Sequence, residues 1–130
     1  MTSGGNGMTK RVSIAEDEPN ILEALSFLLG REGWDVTSAL DGNAVLEHLN
    51  GDTLPDVVIL DIMLPHRNGF DILRQLRTSA RTRDLPVIVL TAKGQEKDRR
   101  TAEKIGANAF VTKPFSNKEI VAQIRRLAGL

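Results

Sequence analysis

The chain has 130 residues, of which 41% are hydrophobic and 26% are charged, and this composition suits one domain with a single buried core. Its 17 basic and 17 acidic side chains cancel, which argues against a nucleic-acid protein that binds through a large basic excess. The sequence contains no cysteine, so disulfides, thiolate metal sites and cysteine nucleophiles are excluded.

The N-terminal residues 1–9 are small, polar and rich in glycine, which is typical of a flexible tail. We expect one domain over residues 10–130, with Met8 as an alternative start. The tail lacks the apolar segment of a secretory signal, and the apolar runs of the sequence are far shorter than the ~20 residues that span a bilayer. These features predict a cytoplasmic protein that does not insert into membranes.

Five short runs of β-branched and apolar residues alternate with longer amphipathic segments. They predict strands at Val12–Ala15, Trp34–Ala39, Val57–Leu60, Val87–Leu90 and Ala109–Thr112. The third and fourth runs are apolar at every position. This pattern is typical of central strands that are covered on both faces.

Apolar residues at helical spacing fill the segments between and after these strands. The predicted buried stripes are Ile21, Leu25 and Leu28; Val45, Leu46 and Leu49; Ile72, Leu73 and Leu76; Ala102 and Ile105; and Ile120, Ile124 and Leu127. Ser116 and Glu119 match a capping box, whereas the mostly charged segment Lys97–Ile105 should be weakly anchored. The β-α order occurs five times, and right-handed crossovers then predict a three-layer α/β/α sandwich with one five-stranded parallel sheet.

Polar side chains follow four of the predicted strands. Glu16 and Asp17 come after the first strand, Asp61 after the third, Thr91 after the fourth and Lys113 after the fifth. The carboxyl ends of parallel strands lie along one edge of the sheet, where open α/β folds hold their ligands. We therefore expect these side chains to converge, although they are far apart in sequence.

Three converging carboxylates repel one another, at a cost of roughly 4 kcal/mol for each pair at ~4 Å and an effective dielectric near 20. Lys113 supplies one positive charge, so we expect a divalent cation, and the all-oxygen ligand set favours Mg²⁺. Such an ion, together with Lys113 and the Thr91 hydroxyl, suits a phosphoryl group. Asp61 stands alone after a central strand and is the predicted nucleophile.

Four segments carry a resemblance to a known family: residues 14–19 (IAEDEP), 58–65 (VILDIMLP), 89–92 (VLTA) and 106–115 (GANAFVTKPF). In this order and at these intervals they resemble the receiver domain of two-component response regulators, of the stand-alone, single-domain type. The resemblance covers about Arg11 to Leu127. It implies the flavodoxin-like strand order 2-1-3-4-5.

The resemblance also implies roles for the acidic residues. Asp61 would accept a phosphoryl group from the phosphohistidine of a histidine kinase or phosphotransfer protein. Asp17 and Asp61 would ligate Mg²⁺ directly, with the backbone carbonyl of Met63 as a third protein ligand. Glu16 would act through a water molecule.

The remaining site residues would form a switch. Lys113 would pair with the phosphate, and a cis peptide before Pro114 would aim its side chain into the site. Thr91 would turn toward the phosphate, and Phe110 would then move into the space that Thr91 leaves. The face formed by 97–105, the fifth strand and the last helix would change and control an unidentified protein partner. The chain would be a monomer or a phosphorylation-dependent dimer.

Some positions depart from the common family pattern. Glu16 stands where many relatives have Asp, and Phe110 stands where a tyrosine is common. The positions that tune phosphoryl lifetime are Met63 and Lys93. Asn108-Ala109 replaces the paired acids of many transcription-factor receivers, which argues against their salt-bridged dimer.

Two alternatives are a receiver-like interaction module that does not cycle and a small Mg²⁺-dependent phosphohydrolase. The complete set of acids, threonine and lysine argues against the first. The second needs an acid two residues after the nucleophile, where this chain has Met63. We therefore expect self-catalysed phosphotransfer and autodephosphorylation only, with no other enzymatic activity and no direct contact with nucleic acid.

Overall fold

The structure of the protein is a computed structural model, which describes residues 10–92 and 95–130. The predicted tail at 1–9 and the tuning position Lys93 lie outside the described residues. Within them, strands and helices alternate in chain order. The strands are β1 (Arg11–Ala15), β2 (Asp35–Ala39), β3 (Val57–Asp61), β4 (Val87–Ala92) and β5 (Ala109–Lys113). The helices are α1 (Pro19–Arg31), α2 (Gly42–Leu49), α3 (Gly69–Thr78), α4 (Glu96–Ile105) and α5 (Asn117–Leu127).

The five strands form one parallel sheet in the order β2-β1-β3-β4-β5. This confirms the predicted three-layer fold and its flavodoxin-like strand order. The register places Asp61 level with Leu90 of β4, and Ala92 level with Lys113 of β5. The ends of these three strands therefore lie side by side at one edge of the sheet.

Two apolar clusters cover the two faces of this sheet. One contains residues of α2, α3 and α4, and the other contains residues of α1 and α5. Val58 and Leu60 of β3 belong to the first cluster, whereas Val57 and Ile59 belong to the second, and all four are fully buried. The uniform apolar run of β3 thus reflects burial on both sides, as predicted.

The helix ends follow their local chemistry. The Ser116 hydroxyl accepts a hydrogen bond from the Glu119 N–H at 3.0 Å, which is one half of the predicted capping box. Helix α4 buries only Ala102, which confirms that this charged helix is weakly anchored to the core. No helix in residues 10–92 or 95–130 has both the length and the apolar character that a bilayer crossing requires.

The structure corrects the predicted start of β2 and the predicted ends of β3 and β5. Trp34 is not part of β2, because its N–H bonds to the carbonyl of Leu29 at 3.0 Å as the chain leaves α1. Gly33 makes this turn with a φ of 93°, and β2 begins one residue after Trp34. At their carboxyl ends, β3 extends to Asp61 and β5 extends to Lys113, one residue further than predicted in each case. The parallel ladder holds these polar residues within the strands themselves.

Candidate functional site

The polar residues predicted to converge do so at the carboxyl edge of the sheet. The Nζ atom of Lys113 lies 2.7 Å from Oδ2 of Asp61 and 2.6 Å from Oε1 of Glu16. One carboxylate oxygen from each of Glu16, Asp17 and Asp61 lies within 4.8 Å of the other two. Thr91 is buried at the end of β4, the strand between Asp61 and Lys113. In the part of the chain that the structure describes, the edge thus brings together three carboxylates, one ammonium group and one hydroxyl.

Asp61 is held in a defined orientation on the floor of a cleft of about 340 Å³. Only 4% of the residue is exposed. Its Oδ1 accepts a hydrogen bond from the Met63 N–H at 2.9 Å, and its Oδ2 accepts one from Lys113. Since both carboxylate oxygens are bonded, the side chain cannot rotate freely, and Asp61 is held where it lines the cleft.

Gly69 allows the chain after β3 to fold back against this site. Its N–H donates to the carbonyl of Ile62 at 2.9 Å, which closes the loop between β3 and α3. A Cβ at this position would lie 2.5 Å from the carbonyl oxygen of Asp61 and 2.7 Å from Cα of Ile62. Only a glycine permits this approach, so Gly69 positions the backbone that carries Asp61.

Glu16 is the most buried acid of the site, with no exposed surface. Its Oε2 accepts a hydrogen bond from the Glu18 N–H at 3.0 Å. Its Oε1 has the ion pair with Lys113 as its only partner among the described residues. Burial raises the pKa of the Glu16 carboxyl to about 7, against the opposing effects of the Lys113 ammonium and the Glu18 N–H.

Lys113 remains charged in this environment. Burial acts to lower its pKa, but hydrogen bonding and attraction from Asp61 and Glu16 outweigh that effect, so the pKa is raised above its ordinary value. Lys113 nevertheless pairs with only two of the three clustered carboxylates, Glu16 and Asp61. The surplus of oxygen ligands and the incompletely partnered Oε1 of Glu16 fit a hard divalent cation such as Mg²⁺.

Two further features that the resemblance implied are the aromatic residue Phe110 and the cis peptide bond before Pro114. Phe110 is half-buried on β5 and packs against the cluster formed with α2, α3 and α4. The guanidinium carbon of Arg99 lies 5.2 Å from the centre of its ring. The peptide bond between Lys113 and Pro114 is cis, as the resemblance implied.

Sequence reasoning missed three residues that shape the site. Gly69 packs against the backbone of Asp61, and two residues line the wall of the cleft: Gln95, which directly precedes α4, and Asp98 in its first turn. Gly69 carries a weak signal, since it directly precedes the apolar stripe of α3 and follows Asp61 by a short loop. Asp98 carries none, because an acid in the first turn of a helix is ordinary and its direction depends on where α4 packs.

The family model for the response regulator receiver domain matches residues 12–125. The chain belongs to the receiver domain family. Receiver domains serve two-component signal transduction, where they interact with histidine kinases or phosphotransfer proteins, and they are generally not enzymes in their own right. The predicted family and its signalling role are therefore confirmed.

Among curated proteins, this receiver domain is 41% identical over 118 residues to the phosphate regulon transcriptional regulatory protein PhoB of Klebsiella pneumoniae. It is 40% identical over 118 residues to PhoB of Escherichia coli K12. Each match covers 91% of this chain and 51% of the relative. The chain thus spans about half the length of the curated relatives that it matches.

Solved structures show the same fold. A putative response regulator of Chloroflexus aurantiacus has a TM-score of 0.89 at 28% identity, covering 94% of this chain and 99% of that one. The receiver domain of the sensor histidine kinase PA1611 of Pseudomonas aeruginosa has a TM-score of 0.85 at 26% identity, with 94% and 99% covered. CheY4 of Vibrio cholerae shares the fold with a TM-score of 0.85 at 23% identity, with 92% and 99% covered.

Proposed function

We propose that this receiver domain is a phosphorylation-dependent switch that accepts a phosphoryl group on Asp61 from a phosphohistidine donor. The observation that carries the proposal is the carboxylate of Asp61, fixed on the cleft floor 2.7 Å from the Lys113 ammonium. A carboxylate in this position can act as a nucleophile toward phosphorus. The neighbouring ammonium supplies positive charge where the transferring group carries negative charge.

In the proposed step, an Oδ atom of Asp61 forms a bond to phosphorus while the bond from phosphorus to the donor imidazole nitrogen breaks. The electron pair of that bond stays with the imidazole. Lys113 would neutralise an equatorial phosphoryl oxygen, and the Thr91 hydroxyl would donate a hydrogen bond to another. The chemistry needs only positioned groups, so self-catalysed phosphotransfer and autodephosphorylation are the activities that we propose.

The site would hold Mg²⁺ through Asp17 and Asp61, with the Met63 carbonyl as a third ligand and Glu16 acting through water. The acidic group of the three carboxylates supports this assignment. The receiver domain of PA1611 is described with a magnesium ion coordinated in its active-site cleft. When bound, the ion supplies positive charge to the phosphoryl oxygens beyond that of Lys113.

The switch would act through α4, β5 and α5. We propose that Thr91 turns toward the phosphate and that Phe110 then moves inward, which shifts an existing equilibrium of this face and controls a protein partner. The weak anchoring of α4, which buries only Ala102, supports a change there because few packing contacts oppose it. The domain would act as a monomer or as a phosphorylation-dependent dimer.

A mass measurement tests the proposal. The protein is incubated with Mg²⁺ and acetyl phosphate, and we expect an added phosphoryl mass that Asp61→Asn abolishes. Asp52→Asn, in an exposed loop, is the matched control and should be modified like the wild type. If neither acetyl phosphate nor a phosphorylated histidine donor protein modifies the wild type, the switch is refuted and the non-cycling interaction module is favoured.

A further inference from the structure

We propose that Asp98 selects the chemical class of the phosphodonor. Its carboxylate would favour a phosphoramidate, whose leaving ring is cationic in the reactive form, over an acyl phosphate, whose leaving group is an anion. The inference rests on the proposed function, the phosphorylation of Asp61. It adds a specificity-determining residue on α4 that takes no part in bond formation.

The position of Asp98 distinguishes it from its neighbours. It lies in the first turn of α4 and is partly buried, whereas the residues on either side of it, Lys97 and Arg99, are exposed. It lines the cleft that also contains Asp61 and Lys113. It also borders an adjoining groove of about 500 Å³ beside Met63. Asp98 therefore stands on the wall where the two cavities meet.

The charge of Asp98 is not compensated within residues 10–92 and 95–130. In this part of the chain no lysine or arginine nitrogen lies within ion-pair distance of its carboxylate. Lys113, which also lines the cleft, is engaged by Glu16 and Asp61 instead. Among the described residues, therefore, no cation neutralises Asp98, and its field acts on a group that enters the cleft, weakened by water and salt.

The geometry of the reaction directs the leaving group away from the floor of the cleft. Phosphoryl transfer is in-line, so the leaving atom departs on the side opposite the attacking oxygen. The attacking oxygen belongs to Asp61, of which 4% is exposed, so the leaving group points outward along the cleft wall. Asp98 is on that wall and is more exposed than Asp61. Asp98 thus borders the path along which the leaving group departs.

The two donor classes differ in the charge of that group. In phosphoimidazole one ring nitrogen is bonded to phosphorus, and in the reactive form the other ring nitrogen carries a proton. When the P–N bond breaks, its electron pair stays on the nitrogen that was bonded to phosphorus, and neutral imidazole leaves. In acetyl phosphate the P–O bond breaks and the electron pair leaves with the acetate anion. A carboxylate on the wall attracts the positively charged ring and repels the developing acetate.

The test compares the two donors in two variants at saturating Mg²⁺. Asp98→Asn removes the charge from the cleft wall. Glu96→Gln is the matched control, because Glu96 lies in the same first turn, is exposed and does not line the cleft. Both variants remove one negative charge near the N-terminus of α4, so any common effect on the helix cancels. The measurement is the rate of phosphoryl-Asp61 formation, followed by intact mass.

We expect Asp98→Asn to raise the acetyl phosphate rate on the order of two- to fivefold, as for charges several ångströms apart in an open cleft. The phosphoimidazole rate should stay constant or fall, and high salt should shrink the difference between wild type and variant. An unchanged ratio of the two rates, or an equal change in Glu96→Gln, overturns the inference. If neither donor modifies wild-type Asp61, the proposed function fails instead.

Discussion

Replacing Gly69 by alanine tests whether the loop after β3 positions the phosphoacceptor. The new Cβ would lie 2.5 Å from the carbonyl oxygen of Asp61, and ordinary contact begins at 3.4 Å, so the backbone must open by about 0.9 Å. The opposing atoms belong to the main chain and cannot rotate away. We expect a loss of about 1–3 kcal/mol in the free energy of unfolding. The displacement also moves Asp61 relative to Lys113, so phosphorylation should slow by about tenfold or more.

Urea denaturation and the rate of phosphorylation by acetyl phosphate together measure this effect. Gly30→Ala is the matched control, since Gly30 lies in α1 and a Cβ there meets nothing within 4 Å. Alanine in a helix is favoured over glycine by roughly 0.5–1 kcal/mol, so this control should gain stability and keep its phosphorylation rate. If Gly69→Ala behaves like Gly30→Ala in both assays, the close approach at Gly69 does not constrain the site.

Three further predictions concern the charged groups of the site. Asp17→Ala should raise the dissociation constant for Mg²⁺ by about tenfold or more in calorimetric titration, which is a loss of roughly 1.4 kcal/mol in binding free energy. An unchanged affinity would exclude Asp17 as a ligand. In metal-free protein, Lys113→Ala should lower the free energy of unfolding by roughly 2–4 kcal/mol, because it leaves the Glu16 and Asp61 carboxylates without a counter-charge. The side chain of Lys113 is 20% exposed, which keeps this loss below that of a fully buried pair. The pKa of Glu16 is raised by folding, so its contribution to stability is complete below about pH 4.5 and is lost as the pH rises through about 7. Urea denaturation at a series of pH values should show that Glu16→Gln removes this loss in metal-free protein, and an unchanged pH profile would contradict the burial effect.

The fold was predictable because the burial of a strand or helix determines which of its residues are apolar. The runs Val57–Leu60 and Val87–Leu90 are apolar at every position because helices cover both faces of the central strands. Boundaries were less accurate. Trp34 looks like the start of a strand by residue type, but the turn at Gly33 and a hydrogen bond to Leu29 keep it outside β2. Hydrogen bonds between distant segments set such limits.

The convergence of Asp61, Thr91 and Lys113 also followed from the sequence, because parallel strands bring their carboxyl ends to one edge whatever the separation along the chain. Their proposed roles rest on that placement together with the family resemblance. The order of the strands was not derivable from periodicity, since an amphipathic pattern records that a face is covered and not which neighbour covers it.

Local patterns along the chain therefore established the elements of this protein, their burial and the set of polar residues at one sheet edge. Only the packed structure revealed the approach of Gly69 to Asp61, the raised pKa of Glu16 and the place of Asp98 on the cleft wall. These features depend on distances of a few ångströms between segments that are remote in sequence. Steric exclusion and charge interactions change steeply over such distances, and residue type alone carries no information about them.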